Sequence, residues 1–292
     1  MKQYISGIVA LVMAAFMLAS CQEDTITYDG PDHVMFEDST QVIAITNSTD
    51  WHDIMIGTTR AADHDRNYGI EVVAKGTNAI EGEQFTLESP TVTIKAGERA
   101  AAVRIKGDFD KISDTDSIGV TLRLVNKDQT WNLYGDETKV TLQKVCPFDI
   151  DAFNTGYCRV TSQYFTDYMK PVTERIIKVE KDTAANTLVL KNFFYNGRDV
   201  KIRFNTDDVL EPLIEAEDGQ ILGTTAEAFG TQYGDTYVRM DLAPTYTSFY
   251  NVCQHYAILY TTIYVTGRGT VGTYLTVLEW ISKEEAEVNG VK

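Results

Sequence analysis

The stretch Ile118–Leu124 reads Ile-Gly-Val-Thr-Leu-Arg-Leu, with an aliphatic residue at every second position. A period of two places successive side chains on opposite faces of an extended chain, so it predicts a β-strand with one face in a core and one in water. Residues 92–95 and 101–106 alternate in the same way. Turn residues separate these stretches from further predicted strands at 33–37, 42–46, 54–58, 68–74 and 139–144. Short strands at this spacing predict a β-sandwich over residues 32–145.

Two motifs within this region add detail. Residues 76–85 read Gly-Thr-Asn-Ala-Ile-Glu-Gly-Glu-Gln-Phe, and residues 92–98 read Val-Thr-Ile-Lys-Ala-Gly-Glu. Together with the strand residues at 103–105, they resemble the Calx-β type of immunoglobulin-like sandwich. That family has Gly-x-x-Ala-x-x-Gly-x-Asp-Tyr, a strand, Pro-Gly-Glu and another strand; here Gln84-Phe85 replace Asp-Tyr and Ala96 replaces Pro. The resemblance implies an immunoglobulin-like fold for the N-terminal half.

The same resemblance suggests calcium binding, because some Calx-β domains bind Ca²⁺ through acidic loops. The carboxylates of Asp108, Asp110, Asp114 and Asp116 follow a predicted strand closely, and Ca²⁺ takes six to eight oxygen ligands. However, residues 107–110 (Gly-Asp-Phe-Asp) lack the consecutive aspartates of the calcium-binding members. The four aspartates are a candidate calcium site, and the alternative, which the sequence favours, is a solvated acidic loop. No other cofactor is predicted.

A second region begins near residue 146, where Pro147 interrupts the strand pattern. Twelve of the 16 tyrosines follow this proline. The clearest element is a hairpin of strands at 255–265 and 271–280, whose turn contains glycines that permit a positive φ. The start at Thr155-Gly156-Tyr157, followed by long meandering strands, resembles the calycin-like barrels of Bacteroides lipoproteins. We therefore expect an all-β protein in which residues 146–292 form an antiparallel calycin-like barrel or sandwich.

The first strand of this hairpin carries tyrosines at even spacing, which places them on one face of the strand. A stripe of tyrosines indicates stacking against a sugar ring or a lipid chain. The alternative is cross-strand packing within the sheet, because aromatic residues favour strands. The candidate ligand-binding residues are Tyr237, Arg239, Tyr256, Tyr260, Tyr264 and Tyr274.

The chain begins with the features of a secretory leader, namely an early lysine and an apolar run at 8–18. The order Leu-Ala-Ser-Cys at 18–21 resembles a bacterial lipobox, which implies cleavage before Cys21 and lipid attachment to it. The alternative is an ordinary signal peptide with a cysteine near its cleavage site. The acidic residues after the cysteine resemble the export signal of Bacteroides-type surface lipoproteins. We therefore predict a signal peptide at 1–20, a flexible tether at 21–31 and lipid anchoring in the outer membrane, exposed at the cell surface.

Charge and cysteine content limit the possible partners and disulfide bonds of the protein. The formal net charge is −16 and there is no basic run, which argues against nucleic acid as a partner. With Cys21 lipidated, three cysteines remain, and an odd number cannot all pair within the chain. Cys146 and Cys158 are close enough in sequence to form a bridge. The alternative is three buried thiols that act as small apolar residues.

Motifs of the common enzyme classes are absent from the sequence, which has no Gly-x-Ser-x-Gly, no phosphate loop and no His-Glu-x-x-His. Carboxylates are abundant enough for a glycosidase pair, but no pair is marked by its context. We therefore predict a binding protein rather than an enzyme, with an accessory glycan-binding or adhesion role and a glycan or a surface protein as its partner. The alternative is a carrier of a small apolar ligand in the C-terminal barrel, and a hydrolase ranks last.

Overall fold

The computed structural model of the chain describes residues 28–125, 129–130, 135–240 and 246–289. These residues form an all-β protein, as predicted, with short helices at a few connections. The predicted signal peptide, Cys21 and most of the tether at 21–31 lie outside the described residues. Within the described ranges, no helix combines the length and the apolar character needed to cross a bilayer.

The N-terminal strands form a sandwich of two sheets. One sheet has the order β1-β3-β7-β5; the other has the order β2-β9-β8-β4-β6, with β2 parallel to β9. Their inward aliphatic side chains form one core, in which Ile54, Ile94 and Val120 are fully buried. The strands are β1 (Val34–Phe36), β2 (Thr40–Ile45), β3 (His52–Thr58), β4 (Arg66–Val73), β5 (Phe85–Leu87), β6 (Thr91–Ile94), β7 (Ala100–Gly107), β8 (Ile118–Leu124) and β9 (Glu137–Lys144).

Strand β8 differs from its prediction because both of its faces are covered. Gly119 and Thr121 are buried, although alternation assigned them to water. The segment that follows β4 lies against this part of β8. There, the amide of Asn78 donates to the carbonyl of Gly119 (3.0 Å), and the amide of Thr121 donates to the hydroxyl of Thr77 (2.9 Å). The Gly-Thr-Asn of the Calx-β-like motif therefore extends the pairing on β8 beyond the end of β4.

The C-terminal strands form a second, separate unit whose core shares no residue with that of the sandwich. The exact domain boundary stays a prediction. The elements of this unit are a 3₁₀ helix (Ile150–Phe153), β10 (Tyr157–Ser162), α1 (Gln163–Tyr168), β11 (Glu174–Lys181), β12 (Thr187–Leu190), β13 (Val200–Phe204), β14 (Ile214–Glu215), β15 (Gln220–Thr224), α2 (Thr225–Phe229), β16 (Asp235–Arg239), β17 (Phe249–Asn251), β18 (Tyr256–Val265), β19 (Gly269–Ile281) and α3 (Lys283–Val288).

These strands form one antiparallel sheet that closes on itself. At the end near the sandwich, β14 meets β17: the amide of Ile214 donates to the carbonyl of Ser248, and the amide of Tyr250 donates to that of Pro212, both at 2.9 Å. Strand β17 then pairs with β18, and β14 pairs with β13. Backbone hydrogen bonds therefore join the two sides of the sheet, as in a barrel.

The far end closes in a similar way through β15 and β16. Strand β16 pairs with β15 on one side and with β18 on the other. The side-chain amide of Gln220 then joins β15 to β13, because it bonds both the amide and the carbonyl of Lys201, at 2.7 and 2.9 Å. In the described part of the chain, the barrel thus has eight strand positions. Two of them are each shared by two short strands, and the order around the barrel is β10, β11, β12, β13, β14/β15, β16/β17, β18 and β19.

Aromatic side chains fill the barrel. Near the sandwich, the ring centroid of Phe153 lies 4.8 Å from that of Phe204 and 4.9 Å from that of Trp280. Toward the other end, Tyr164 stacks on Phe194 at 5.2 Å. Four of these five side chains are fully buried and Trp280 nearly so. An interior occupied by the protein's own rings does not favour the carrier hypothesis, which needs an apolar cavity.

The disulfide corrects both cysteine alternatives drawn from the sequence. Cys146 is bonded to Cys253, not to Cys158. Cys158 points inward from β10 as a fully buried free thiol, and burial raises its pKa. Cys253 lies in the turn between β17 and β18, 107 positions from its partner, so spacing along the chain could not identify the pair. The bridge ties the start of the C-terminal unit to the barrel end that faces the sandwich.

Candidate ligand-binding face

Strands β16 and β18 present a row of tyrosines on the outer surface of the barrel. Alternate residues of both strands point into the core, where Val238 and Ile263 are fully buried. The residues between them therefore point outward, and the rings in this row are only partly buried. We define the tyrosine face as Tyr237, Arg239, Tyr246, Tyr260 and Tyr264.

The centre of this face is a stacked pair of rings. Tyr237 and Tyr264 are cross-strand partners whose ring centroids lie 5.5 Å apart at an interplanar angle of 26°. The guanidinium carbon of Arg239 lies 5.7 Å from the ring centroid of Tyr264. The phenol of Tyr264 donates a hydrogen bond to a carboxylate oxygen of Asp218 (2.8 Å), and this bond raises the pKa of the phenol. Tyr264 is therefore a neutral, fixed ring at physiological pH.

A second pair of rings extends the face along β18. Tyr246 lies 5.5 Å from Tyr260, with an interplanar angle of 56°, and is 48% exposed. Tyr260 lies four residues from Tyr264 on the same side of the strand, which corresponds to about 13 Å. Neither Tyr246 nor Asp218 could be predicted from the sequence pattern, because both lie in connections outside the strands. The only sequence signal for Tyr246 was its residue type, an aromatic side chain in the connection before β17.

Two predicted ligand-binding residues do not belong to this face. Tyr256 points the same way but lies eight residues from Tyr264, at the sandwich end of β18, where it pairs with Asn251. Tyr274 is a correction: it pairs with the fully buried Thr261 and so points into the barrel, where it is 8% exposed. Burial raises the pKa of its phenol, which donates to the hydroxyl of Tyr168 (3.3 Å). Tyr274 is therefore a core residue.

Two of the four aspartates of the candidate calcium site have other partners. Asp108 accepts hydrogen bonds from the hydroxyl of Ser48 and the amide of Asp110, both at 3.1 Å. Asp114 lies 2.7 Å from the amino group of Lys144. Among the described residues, no three of these four carboxylates bring ligand oxygens within 4.8 Å of one another. The geometry favours the solvated-loop alternative, and calcium binding stays a prediction.

A groove of about 560 Å³ lies where the sandwich meets the barrel. It is lined by Gln143 of β9, by residues 210–213 and by Phe249–Asn251 of β17. The ring of Tyr250 is almost entirely buried beneath it, and its hydroxyl donates to the carbonyl of Asn205 (3.0 Å). This groove is a second candidate site, with fewer exposed rings than the tyrosine face.

Comparison with solved structures gives several similar chains at low identity. A protein of unknown function from Bacteroides ovatus is 11% identical, with a TM-score of 0.35, over 84% of this chain and 89% of the other. An auxiliary nutrient binding protein from Bacteroides thetaiotaomicron is 14% identical, with a TM-score of 0.32, over 82% and 90%. The apo form of the Calx CBD1 domain is 13% identical, with a TM-score of 0.33, over 39% and 98%. No curated protein matches the chain.

One family model also matches the sequence. It is described as a domain of unknown function, DUF4984, and it matches residues 133–291. This range is more than half of the chain and contains every strand of the barrel, including the two that carry the tyrosine face. The chain belongs to the DUF4984 family.

Proposed function

We propose that this chain is a non-enzymatic binding protein that holds a glycan on its tyrosine face. The observation that carries the proposal is the two pairs of rings on the outer surface of the barrel, Tyr237 with Tyr264 and Tyr246 with Tyr260. Tyrosine offers rigid, amphipathic contact area at a low cost in conformational entropy. The C–H faces of a sugar ring pack against such rings, while its hydroxyl groups bond to neighbouring polar groups.

The spacing of the rings indicates the size of the ligand. Two aromatic pairs separated by four residues of β18, about 13 Å, allow one ligand to contact both only if it is longer than a single sugar. An oligosaccharide lying along the strand satisfies this condition. Asp218 provides the carboxylate that is hydrogen-bonded to the face, and that bond fixes the phenol of Tyr264. A binding role needs no second carboxylate, whereas glycoside hydrolysis ordinarily uses a facing pair.

We further propose that the protein is a lipoprotein of the bacterial outer membrane, anchored through Cys21. Strand polarity supports an arrangement in which the barrel is far from the anchor. The chain enters the sandwich at Val34, which pairs with Thr58 at the end of β3. It leaves through Lys144, which pairs with Ile45 just before the loop that leads into β3, at the opposite end. Mass spectrometry of the mature N-terminus tests the anchor; an unmodified Cys21 would contradict it.

The binding proposal is tested by calorimetric titration of the full-length protein with a panel of oligosaccharides. Replacing Tyr264 with alanine (Tyr264→Ala) removes the ring that contacts both Tyr237 and Arg239, so we expect at least fivefold weaker binding, about 1 kcal/mol. The matched control is Tyr256→Ala, which removes the same ring from the same side of β18 at the sandwich end. We expect this control to bind within twofold of the wild type. Equal losses in the two variants would place the ligand elsewhere.

A further inference from the structure

The outward side of β18 continues from the tyrosine face toward the sandwich. Ile258 lies between Ala257 and Leu259, which are fully buried, so its own side chain points outward and is partly exposed. It shares this side of the strand with Tyr260, two residues further along, a step of about 7 Å. The outer surface of β18 therefore carries Tyr264, Tyr260 and Ile258 on one side, over about 20 Å.

At Ile258 this surface turns across the neighbouring strands into the groove between sandwich and barrel. Ile258 is the cross-strand partner of Phe249, which forms an antiparallel bridge with Leu213 just before β14. The side chain of Phe249 points outward because the next residue, Tyr250, is buried, and that of Leu213 does so because Ile214 is buried. Phe249 and Leu213 both line the groove. Two steps between strands add about 10 Å, so the tyrosine face and the groove form one surface about 30 Å long.

Polar groups from both units lie at the groove end of this surface. Gln143 of β9 and Glu211 of the barrel both line the groove. Gln143 follows the fully buried Leu142, so its side-chain amide points away from the core of the sandwich. Within the described part of the chain, neither polar side chain forms a hydrogen bond or an ion pair. An amide and a carboxylate together supply donors and acceptors for the hydroxyl groups of a sugar.

We propose that one linear glycan binds along this whole surface, from the Tyr237–Tyr264 pair to the groove, so that the protein selects long chains over short ones. The groove continues the tyrosine face and repeats its combination of apolar side chains with polar groups, which suits the two kinds of surface on a sugar. The path leaves β18 at Ile258, so Tyr256 lies beyond it. This inference rests on the proposed glycan-binding function, since it names the class of glycan for the same site.

The charges along the surface favour a neutral glycan. Carboxylates lie near both ends, that of Asp218 at the phenol of Tyr264 and that of Glu211 in the groove. The chain as a whole has a formal net charge of −16, which repels anions. Neutral oligosaccharides are therefore the probes for the test.

The test measures affinity against chain length by calorimetric titration of the full-length protein. The probes are linear oligosaccharides of two to eight units from three series: β-1,4-linked glucose, β-1,4-linked xylose and α-1,4-linked glucose. In at least one series, we expect the eight-unit chain to bind thirtyfold or more tightly than the three-unit chain. Sliding of a long chain over a three-unit site accounts for no more than a sixfold rise, so a rise of that size would contradict the extended site.

Two variants assign the gain in affinity to the groove. Phe249→Ala removes the ring that joins β18 to the groove, and Gln143→Ala removes the amide that the sandwich contributes. We expect each to weaken binding of the eight-unit chain at least fivefold and to bind the three-unit chain within twofold of the wild type. The matched control is Phe229→Ala, which removes a partly buried ring at the other end of the barrel and should keep the full length dependence. Thermal melting checks folding, and Gln143→Ala leaves the barrel intact.

The outcomes separate this inference from the proposed function. If all lengths bind equally and Tyr264→Ala weakens them all, the extended site is wrong and the glycan-binding function stands. If the length dependence persists in both groove variants, the assignment to the groove is wrong. If no oligosaccharide of any length binds, both proposals fail.

Discussion

Removing the disulfide in the double variant Cys146→Ala/Cys253→Ala is expected to lower the free energy of unfolding of the barrel by about 3–5 kcal/mol. The bridge closes a loop whose ends are 107 positions apart, and a cross-link over so long a loop removes much of the conformational entropy of the unfolded chain. The loop contains strands β10 to β17, so its effect falls on the barrel and not on the sandwich. Urea unfolding followed by the fluorescence of the buried Trp280 measures the difference.

A reducing agent supplies the control for this prediction. Dithiothreitol should destabilise the barrel of the wild type to the level of the double variant, and it should leave the double variant unchanged. Cys158, the free thiol among the described residues, is fully buried within the barrel, so it contributes equally in both proteins. An unfolding midpoint that is the same in wild type and double variant would contradict a stabilising role for the bridge.

Replacing Phe153 with alanine is expected to destabilise the barrel by about 3–5 kcal/mol. The side chain is fully buried at the barrel end that faces the sandwich, and its ring centroid lies within 5.9 Å of those of Phe204, Tyr250 and Trp280. Truncation therefore removes buried apolar surface and leaves a cavity whose walls are large rings that cannot easily collapse.

The control for this variant is Phe229→Ala at the other end of the barrel. Phe229 is only partly buried at the end of α2, where its ring packs against that of Tyr168 at 5.1 Å. We expect this variant to lower the free energy of unfolding by about 1 kcal/mol, because the partly buried ring of Phe229 contributes less buried apolar surface than that of Phe153. Urea unfolding measures both variants. A loss at Phe153 no larger than the loss at Phe229 would show that the barrel end is not closed by a rigid aromatic core.

The sequence alone predicts the strands where side chains alternate clearly. The prediction succeeded for β7 and β9, because one face of each strand carries the core residues. It succeeded for the hairpin of β18 and β19 because glycines mark the turn between two long strands. It failed at Gly119 and Thr121, where the 76–78 segment covers the face assigned to water. This face is buried by a tertiary contact with another segment, and the alternation of residues within one strand cannot predict such a contact.

The closure of the barrel could not be predicted for a similar reason. It depends on β14, with two residues, and β17, with three, which are too short to show a period. The side-chain amide of Gln220 completes the remaining seam at Lys201, and nothing in the sequence distinguishes this glutamine from an exposed polar residue. Disulfide pairing was equally hidden, because Cys146 and Cys253 lie 107 positions apart in the sequence and only the folded structure brings them together.

The candidate site was predicted in part. Even spacing correctly placed Tyr260 and Tyr264 on one face of β18, and Tyr237 and Arg239 lie beside them. Tyr274 was misplaced because β19 carries apolar residues on both faces, so only its register with β18, Thr261 opposite Tyr274, decides which face is inside. Tyr246 lies just before β17, and it reaches the face because β16 and β17 both pair with β18.

The most direct test of glycan binding on the tyrosine face is a crystal structure of the full-length protein with an oligosaccharide that binds it in solution. We expect density for a sugar ring against Tyr237 and Tyr264, with a second sugar near Tyr260. Density in the groove lined by Gln143 and Phe249 instead, with the tyrosine face empty, would contradict the account.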